Sequence, residues 1–359
     1  MSETARILIS NIALPTKKIG SWTTRMSQFL ENNPQFFDII LSPNFYGENY
    51  IFCKKRSFIT WRKQFRKLQL CNWVALDYIK QVKKLSKQYR KLVIVVMDDL
   101  HLAEAFSDAK NRFNCEIELV YSFHGFHLKI DNKILSSIDK ILFLSKMGYE
   151  ESRKNLHQYP KSFVVGNAVN SEIFYPLEDH QFKNARIGKG YNETDEILIW
   201  MANDRPKKGL HIFEAVIEDL LRTYKDLKVI IIGSKKTSFH KNVNSVGRIT
   251  NTEVSSYLQI SNYYMFTTLY QEGFGLSMIE ALKCGNSVIA SSRGAIPEVL
   301  NNLDNTYLIE DVEDINSWRK GFNLARTKIN FDKLRPKRSY TDKIWGFEDW
   351  ELKFKNAID

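Results

Sequence analysis

The stretch Tyr263-Tyr264-Met265-Phe266-Thr267, followed by Glu272-Gly273-Phe274-Gly275-Leu276-Ser277-Met278-Ile279-Glu280-Ala281-Leu282-Lys283 and then Ser287-Val288-Ile289-Ala290, decides the fold. It reads as an apolar strand, a glycine-bearing turn, a helix from Leu276 to about Lys283, and a second apolar strand. Short strands apolar along their whole length are buried on both faces, as in a parallel sheet covered by helices. Working outward, the same alternation runs through Glu196–Met201, Leu210–Tyr224, Leu227–Ile232 and Thr252–Gln259. An earlier block repeats it, with strands at Arg6–Ile9, Phe37–Leu41, Leu92–Met97, Glu118–Phe123, Lys140–Leu144 and Phe163–Val165 and a helix near Ser21–Glu31. The expectation is an α/β chain of two Rossmann-like doubly wound domains facing across a cleft at the carboxyl ends of their sheets. Residues 1–172 form the first domain, the polar stretch 173–194 a linker, and 195–339 the second domain. The aromatic tail 340–359 is expected to pack back on the first.

Composition limits the alternatives. The 359 residues are 43% hydrophobic and 26% charged, which excludes wholesale disorder. No run reaches the 18 or so apolar residues of a membrane-spanning helix, and the N-terminus lacks the pattern of a secretion signal. Four scattered cysteines (Cys53, Cys71, Cys115, Cys284) form no CxxC pair and read as reduced intracellular thiols. Net charge is +11, and the excess is local: residues 51–91 hold thirteen lysines and arginines against one acid, Asp77. Trp61, Phe65, Leu68, Trp73, Leu76 and Ile79 interleave with these cations. That pattern fits an anionic membrane surface, and it equally fits a solvated face with its aromatics in the core.

The turn at 272–281 carries the chemistry. Eight helical steps would separate Glu272 and Glu280 by about 12 Å, beyond the ~5–9.5 Å of a glycosidase acid/base pair. Such spacing suits holding two ends of one extended ligand. The amides of Gly273–Leu276 lie at a helix N-terminus, where free N–H groups favour an anion or a sugar oxygen. Taken alone, a Gly-x-Gly turn with two acids is as compatible with an ordinary solvated strand–helix connection.

The whole of residues 263–300 resembles the donor-site signature of family 4 glycosyltransferases, retaining enzymes of the two-domain GT-B fold. The core Glu272–Ala281 is intact, and it is followed by Cys284–Ser291 and Gly294–Val299. The resemblance implies that Glu272 lies under the donor sugar and acts in catalysis. It implies that Gly273, Phe274, Gly275 and Leu276 approach sugar and phosphate through the backbone, and that Glu280 binds the ribose hydroxyls. In Met201–Leu210, Lys208-Gly209 matches the family's diphosphate-gripping Lys-Gly, but Asn203 stands where the family has Arg. Arg205, two residues on, is the candidate replacement cation. Fixed cations beside a departing diphosphate stabilise the transition state more than the ground state.

In the first domain, Lys17–Thr23 resembles the family's glycine loop, with Gly20 and Ser21 as candidate phosphate contacts. Ser122-Phe123-His124-Gly125 resembles its Thr-x-His-Gly segment, which makes His124 a second catalytic candidate whose neutral imidazole orients a hydroxyl or relays a proton. Asp98-Asp99 is not expected to hold a metal, since no second acidic or histidine cluster is near it in sequence; the resembled family is metal-independent. The resemblance implies a hexosyltransferase that uses a UDP- or GDP-linked sugar, needs no cofactor, and serves a glycan or lipid-linked acceptor in cell-surface polysaccharide or lipopolysaccharide synthesis. The expected location is cytoplasmic, peripheral on the inner membrane face, without nucleic acid as partner. The rival expectation is a catalytically inactive GT-B scaffold that keeps the nucleotide-sugar site.

Overall fold

The valine- and isoleucine-rich runs become strands because a parallel sheet buries β-branched side chains on both faces. A computed structural model of the protein describes residues 2–16, 21–56, 71–154, 158–235, 240–332 and 336–359. The chain divides into two compact units, residues 1–166 with 351–359, and residues 167–350.

The first unit holds β1 (Ser2–Ile9), β2 (Ile39–Ser42), β3 (Tyr50–Phe52), β4 (Tyr89–Met97), β5 (Glu116–Ser122), β6 (Lys140–Phe143) and β7 (Lys161–Val164), in the order β3-β2-β1-β4-β5-β6-β7. Every pairing is parallel. Its helices are α1 (Ser21–Asn32), α2 (Cys71–Val74), α3 (Leu76–Leu85), α4 (Leu100–Ala109), α5 (Asn132–Leu135) and α6 (Lys146–Arg153). Ile7, Ile39 and Ile94 align across three adjacent strands and sit in one core with Leu102, Phe106 and Phe143. The chain runs outward from β1 to β3 and then crosses to β4, so the strand order reverses between β1 and β4. Ligands of doubly wound sheets bind beyond the carboxyl ends at such a reversal.

The second unit repeats the plan with β8 (Ile197–Met201), β9 (Lys228–Ile232), β10 (Val243–Gly247), β11 (Tyr263–Phe266), β12 (Ser287–Ser291) and β13 (Thr306–Ile309), ordered β10-β9-β8-β11-β12-β13 and again parallel. Helices α7 (Asp179–Gly188), α8 (Leu210–Thr223), α9 (Asn251–Ile260), α10 (Leu276–Lys283), α11 (Ile296–Leu300), α12 (Ile315–Asp332) and α13 (Arg338–Thr341) accompany it. Here the reversal falls between β8 and β11, so the loops at 202–209 and 267–275 leave the sheet where a ligand is expected.

Two boundaries differ from expectation. The supposed linker 173–194 contains α7, and the unit boundary falls after Gly166. The cause is Arg186, a buried guanidinium on α7 that donates to the carbonyls of Ile260 (2.9 Å), Glu193 (2.8 Å) and Asp195 (2.7 Å) and to Asn262 Oδ1 (2.6 Å). One buried cation thereby ties a polar helix into the second unit. The tail also divides: residues 340–350 stay with the second unit, and α14 (Phe347–Ile358) passes its last residues to the first. There Phe354 packs on Phe29 at 5.2 Å, and the Ile358 carbonyl accepts from Lys140 Nζ at 3.0 Å. No helix among the described residues is long and apolar enough to cross a membrane.

Candidate functional site

In the second unit, the turn after β11 is shaped by glycine. Gly275 has φ of 84° and forms the N-cap of α10 without a side-chain cap. Gly294 has φ of 63°, and a Cβ there would lie 2.4 Å from the Glu272 carbonyl oxygen. Glu272 makes an isolated parallel bridge with Gly294, and its carbonyl accepts the Ala295 N–H at 2.9 Å. The backbone of Glu272 is thus fixed from the neighbouring strand's loop before its side chain is considered.

That side chain is fixed as well. Glu272 Oε1 accepts from Lys208 Nζ at 2.6 Å and from Thr268 Oγ1 at 3.0 Å, whereas Oε2 accepts from no described residue. Lys208 reaches it from a single 3-10 turn at 206–208, closed by Gly209 in the left-handed region with φ of 73°. A Cβ at Gly209 would lie 1.8 Å from the Thr267 carbonyl oxygen, so only glycine lets the two loops meet. Thr267 Oγ1 donates to the Gly209 carbonyl at 2.8 Å and accepts the Trp200 indole N–H at 3.0 Å. An ammonium has three donors; with one spent on Glu272, two remain for a ligand.

Between the carboxylates, the N–H groups of Phe274, Gly275 and Leu276 donate to nothing among the described residues. The Phe274 ring is buried against Trp345 at 4.8 Å, so it serves as a core anchor and its amide alone faces the turn. Glu280 stands one helical turn beyond Ser277, whose hydroxyl accepts from the buried Tyr264 phenol at 2.8 Å. The Glu280 side chain has no ion pair or hydrogen bond among the described residues, and desolvation pushes its carboxyl up to about 7. Asn203 spends its side-chain oxygen on the Arg205 N–H at 3.2 Å, and the Arg205 guanidinium is exposed.

The first unit gathers a different set. His124 follows β5 and is half-buried, its backbone N–H held by Asp98 Oδ1 at 3.1 Å. Its Nε2 lies 3.0 Å from Ser122 Oγ and 3.5 Å from the Arg25 guanidinium, and its ring meets the Trp22 edge at 5.7 Å. A guanidinium can only donate, so Nε2 is the acceptor and the ring proton sits on Nδ1. Burial, with Arg25 adding to it, holds His124 well below the usual imidazole range, so it is neutral at pH 7. Nδ1 is buried and has no acceptor among the described residues. Desolvation also pulls Arg25 down to about 9 and pushes Asp98 up to about 6. Asp99 behaves otherwise: it caps α4 through the Leu102 N–H at 3.1 Å and pairs with Lys55 Nζ at 2.6 Å.

Of the expected first-unit contacts, Lys17–Gly20 lie outside the described residues. Ser21 opens α1, with its side chain outside them as well. Trp22 and Ser122, which fall within the two quoted segments, and Arg25 and Asp98, which carry no motif, complete the histidine's surroundings. In the basic region, residues 57–70, with Trp61, Phe65 and Leu68 and four of the cations, lie outside the described residues. Lys55, Arg56 and Lys91 are engaged by Asp99, Asp77 and Glu118 respectively. Lys80, Lys83 and Lys84 on α3 and Lys87 just beyond it remain exposed, and Ile79 packs against the core.

Two parallel doubly wound units with open ligand groups at a strand reversal define the GT-B class. Solved structures of that architecture agree over nearly the whole chain. A glycosyltransferase from Rickettsia africae has a TM-score of 0.73 at 16% identity, covering 99% of this chain and 98% of its own. HepE from Anabaena, solved with UDP-glucose, gives 0.69 at 12% identity, covering 98% and 99%. Residues 181–328 match the model for "Glycosyl transferases group 1", and this match, with the shared architecture, supports a GT-B glycosyltransferase similar to those of family 4. Curated relatives include a phosphatidyl-myo-inositol mannosyltransferase of Propionibacterium freudenreichii, 27% identical over 47% of this chain and 42% of its own. Another is the GPI3 subunit of phosphatidylinositol N-acetylglucosaminyltransferase of Saccharomyces cerevisiae, 24% identical over 67% and 55%. The chain spans about half the length of the curated relatives it matches.

Proposed function

We propose that this protein transfers a sugar, with retention and without a metal, from a UDP- or GDP-linked donor to a glycan or lipid-linked acceptor. The observation that carries the reading is the pairing of two unlike carboxylates around three open amides. Glu272 has one oxygen fixed by Lys208 and Thr268 and the other open to a sugar hydroxyl. Glu280 is desolvated and has no donor of its own, as a group awaiting ribose hydroxyls would be. The Phe274–Leu276 amides and the two remaining donors of Lys208 face the charge that grows on the diphosphate as the glycosidic bond breaks, with Arg205 as a second cation. Placed before reaction, such donors lower the barrier without reorganising.

The first unit is assigned the acceptor. The neutral His124 is assigned to the acceptor side by its place at the carboxyl end of β5 and by the resemblance of its segment to Thr-x-His-Gly. The phosphatidylinositol acceptors in the names of two relatives favour a lipid-linked acceptor, and with it a peripheral place at the inner membrane face. The exposed lysines of α3 and the rest of 51–91 would supply attraction to anionic lipid. The Anabaena protein's UDP-glucose favours a UDP- or GDP-sugar as donor. Turnover across UDP- and GDP-sugars, read as released nucleotide, tests the reading: at least one donor is expected to be consumed and to raise the melting temperature. A well-folded preparation that neither binds nor consumes any of them sinks it. Binding without turnover selects the inactive scaffold, which the Asn203 replacement of the family's arginine favours.

A further inference from the structure

Helix α10 and the turn that leads into it are gripped from both sides by one short segment, residues 341–345, which begins at the last residue of α13. At the C-terminal end of α10, Lys283 is wholly buried. Its Nζ donates to the carbonyls of Thr341 at 2.8 Å, Ile344 at 2.9 Å and Asp342 at 3.3 Å. Three carbonyls match the three N–H groups of an ammonium, so protein dipoles replace the water that burial removed. Desolvation draws the group down to about 8.

At the other end, Trp345 sets its ring edge against Phe274 at 4.8 Å, and its indole N–H donates to the Val299 carbonyl at 3.1 Å. The Trp345 carbonyl accepts the Val169 N–H at 3.1 Å. Trp345 holds φ of 45°, a conformation that a bulky residue adopts only where its surroundings impose it. Val299 lies on α11, the helix after Gly294, whose backbone in turn holds Glu272. The segment therefore contacts the start of the donor turn, the end of its helix and the neighbouring loop, while none of these contacts involves a carboxylate or amide assigned to the donor.

Resting on the assignment of α10 to the donor, we propose that Lys283 and Trp345 are positioning residues for the nucleotide-sugar. They fix the height and rotation of α10, and so place Glu280 and the Phe274–Leu276 amides, without touching the ligand. Glu280 meets the ribose, which is bound alike in ground and transition state, so its displacement raises KM; displacement of the amides, which face the growing charge, lowers kcat as well.

The test compares Lys283→Met, Trp345→Ala and Trp345→Phe with wild type, in UDP and GDP titration calorimetry well below each melting temperature and in donor kinetics. Lys283→Met and Trp345→Ala are expected to weaken nucleotide binding at least tenfold and raise donor KM equally, with a loss in kcat besides. Trp345→Phe, which keeps an aromatic edge for Phe274, is expected to recover most of the affinity. A merely structural pair would lower the melting temperature and leave nucleotide binding within twofold of wild type, which overturns the proposal. Should Lys283→Met not fold, the two Trp345 variants decide alone. Wild-type protein that binds neither nucleotide overturns the donor assignment itself, an outcome seen before any substitution is made.

Discussion

The carboxyl ends of the two sheets handle polar groups in opposite ways. At β8 and β11 the second unit leaves groups open: three amides, one oxygen of Glu272, two donors of Lys208 and the whole of Glu280. At β1, β4 and β5 the first unit packs Asn11, Lys55, Asp99, Asp98, Ser122, His124 and Arg25 so that they mostly answer one another. Openness of the first kind is what a strongly polar ligand needs, because every group is placed and none must first surrender a partner. Crowding of the second kind fixes the protonation state of one imidazole.

The contrast predicts which substitutions matter most. Glu272→Ala should reduce turnover by about 10²-fold or more, in the range for removing a placed electrostatic group, with the fold retained by near-ultraviolet circular dichroism. Activity within threefold of wild type would mean that the open groups of the second unit are incidental. Next, Lys208→Met should weaken UDP or GDP binding by about tenfold, the effect of one lost charge-assisted hydrogen bond, measured by calorimetry in low salt.

Glu280→Gln tests the unpartnered carboxyl through pH. Because the folded-state value is raised from near 4.5 to about 7, the folded protein holds an extra proton between those values, and wild-type stability falls as pH rises through them. The variant lacks that loss, so its melting temperature should gain on wild type from pH 5 to pH 8. Over the same interval wild-type nucleotide affinity should rise roughly threefold as the carboxylate forms, and the variant's should stay flat; a wild-type curve without slope would show that Glu280 is already ionised at pH 5. The smallest effect belongs to the first unit: Arg25→Met should raise the His124 titration midpoint, seen in imidazole nitrogen shifts, and alter turnover little at pH 8. An unmoved midpoint would assign the histidine's neutrality to burial alone.

The geometry of the turn at 272–281 is legible in the sequence because its determinants are local. Glu272, Gly275 and Glu280 lie within nine positions, and a glycine in the left-handed region leaves a mark in the chain. Helix α10 runs over Leu276–Lys283 as its pattern predicts. The edge strands β3, β10 and β13 were not marked: Tyr50–Phe52 is three residues long, and Val243–Gly247 reads as polar loop. An edge strand has one neighbour and needs no continuous apolar run. Arg25, Asp98 and Lys55 meet His124 and Asp99 from distant segments, so only the fold brings them together. Nothing in the sequence distinguishes helix α7 from linker, because Arg186, the residue that docks it, is charged, and three of its four acceptors are main-chain carbonyls that no sequence pattern displays.

The bridge between Glu272 and Gly294 has a wider bearing. It is made of main-chain atoms, so replacing side chains along either segment leaves it intact, provided position 294 stays glycine. On the proposed assignment, descendants of this chain can change sugar preference by altering the residues that surround the turn while inheriting an unaltered mount for its leading acid.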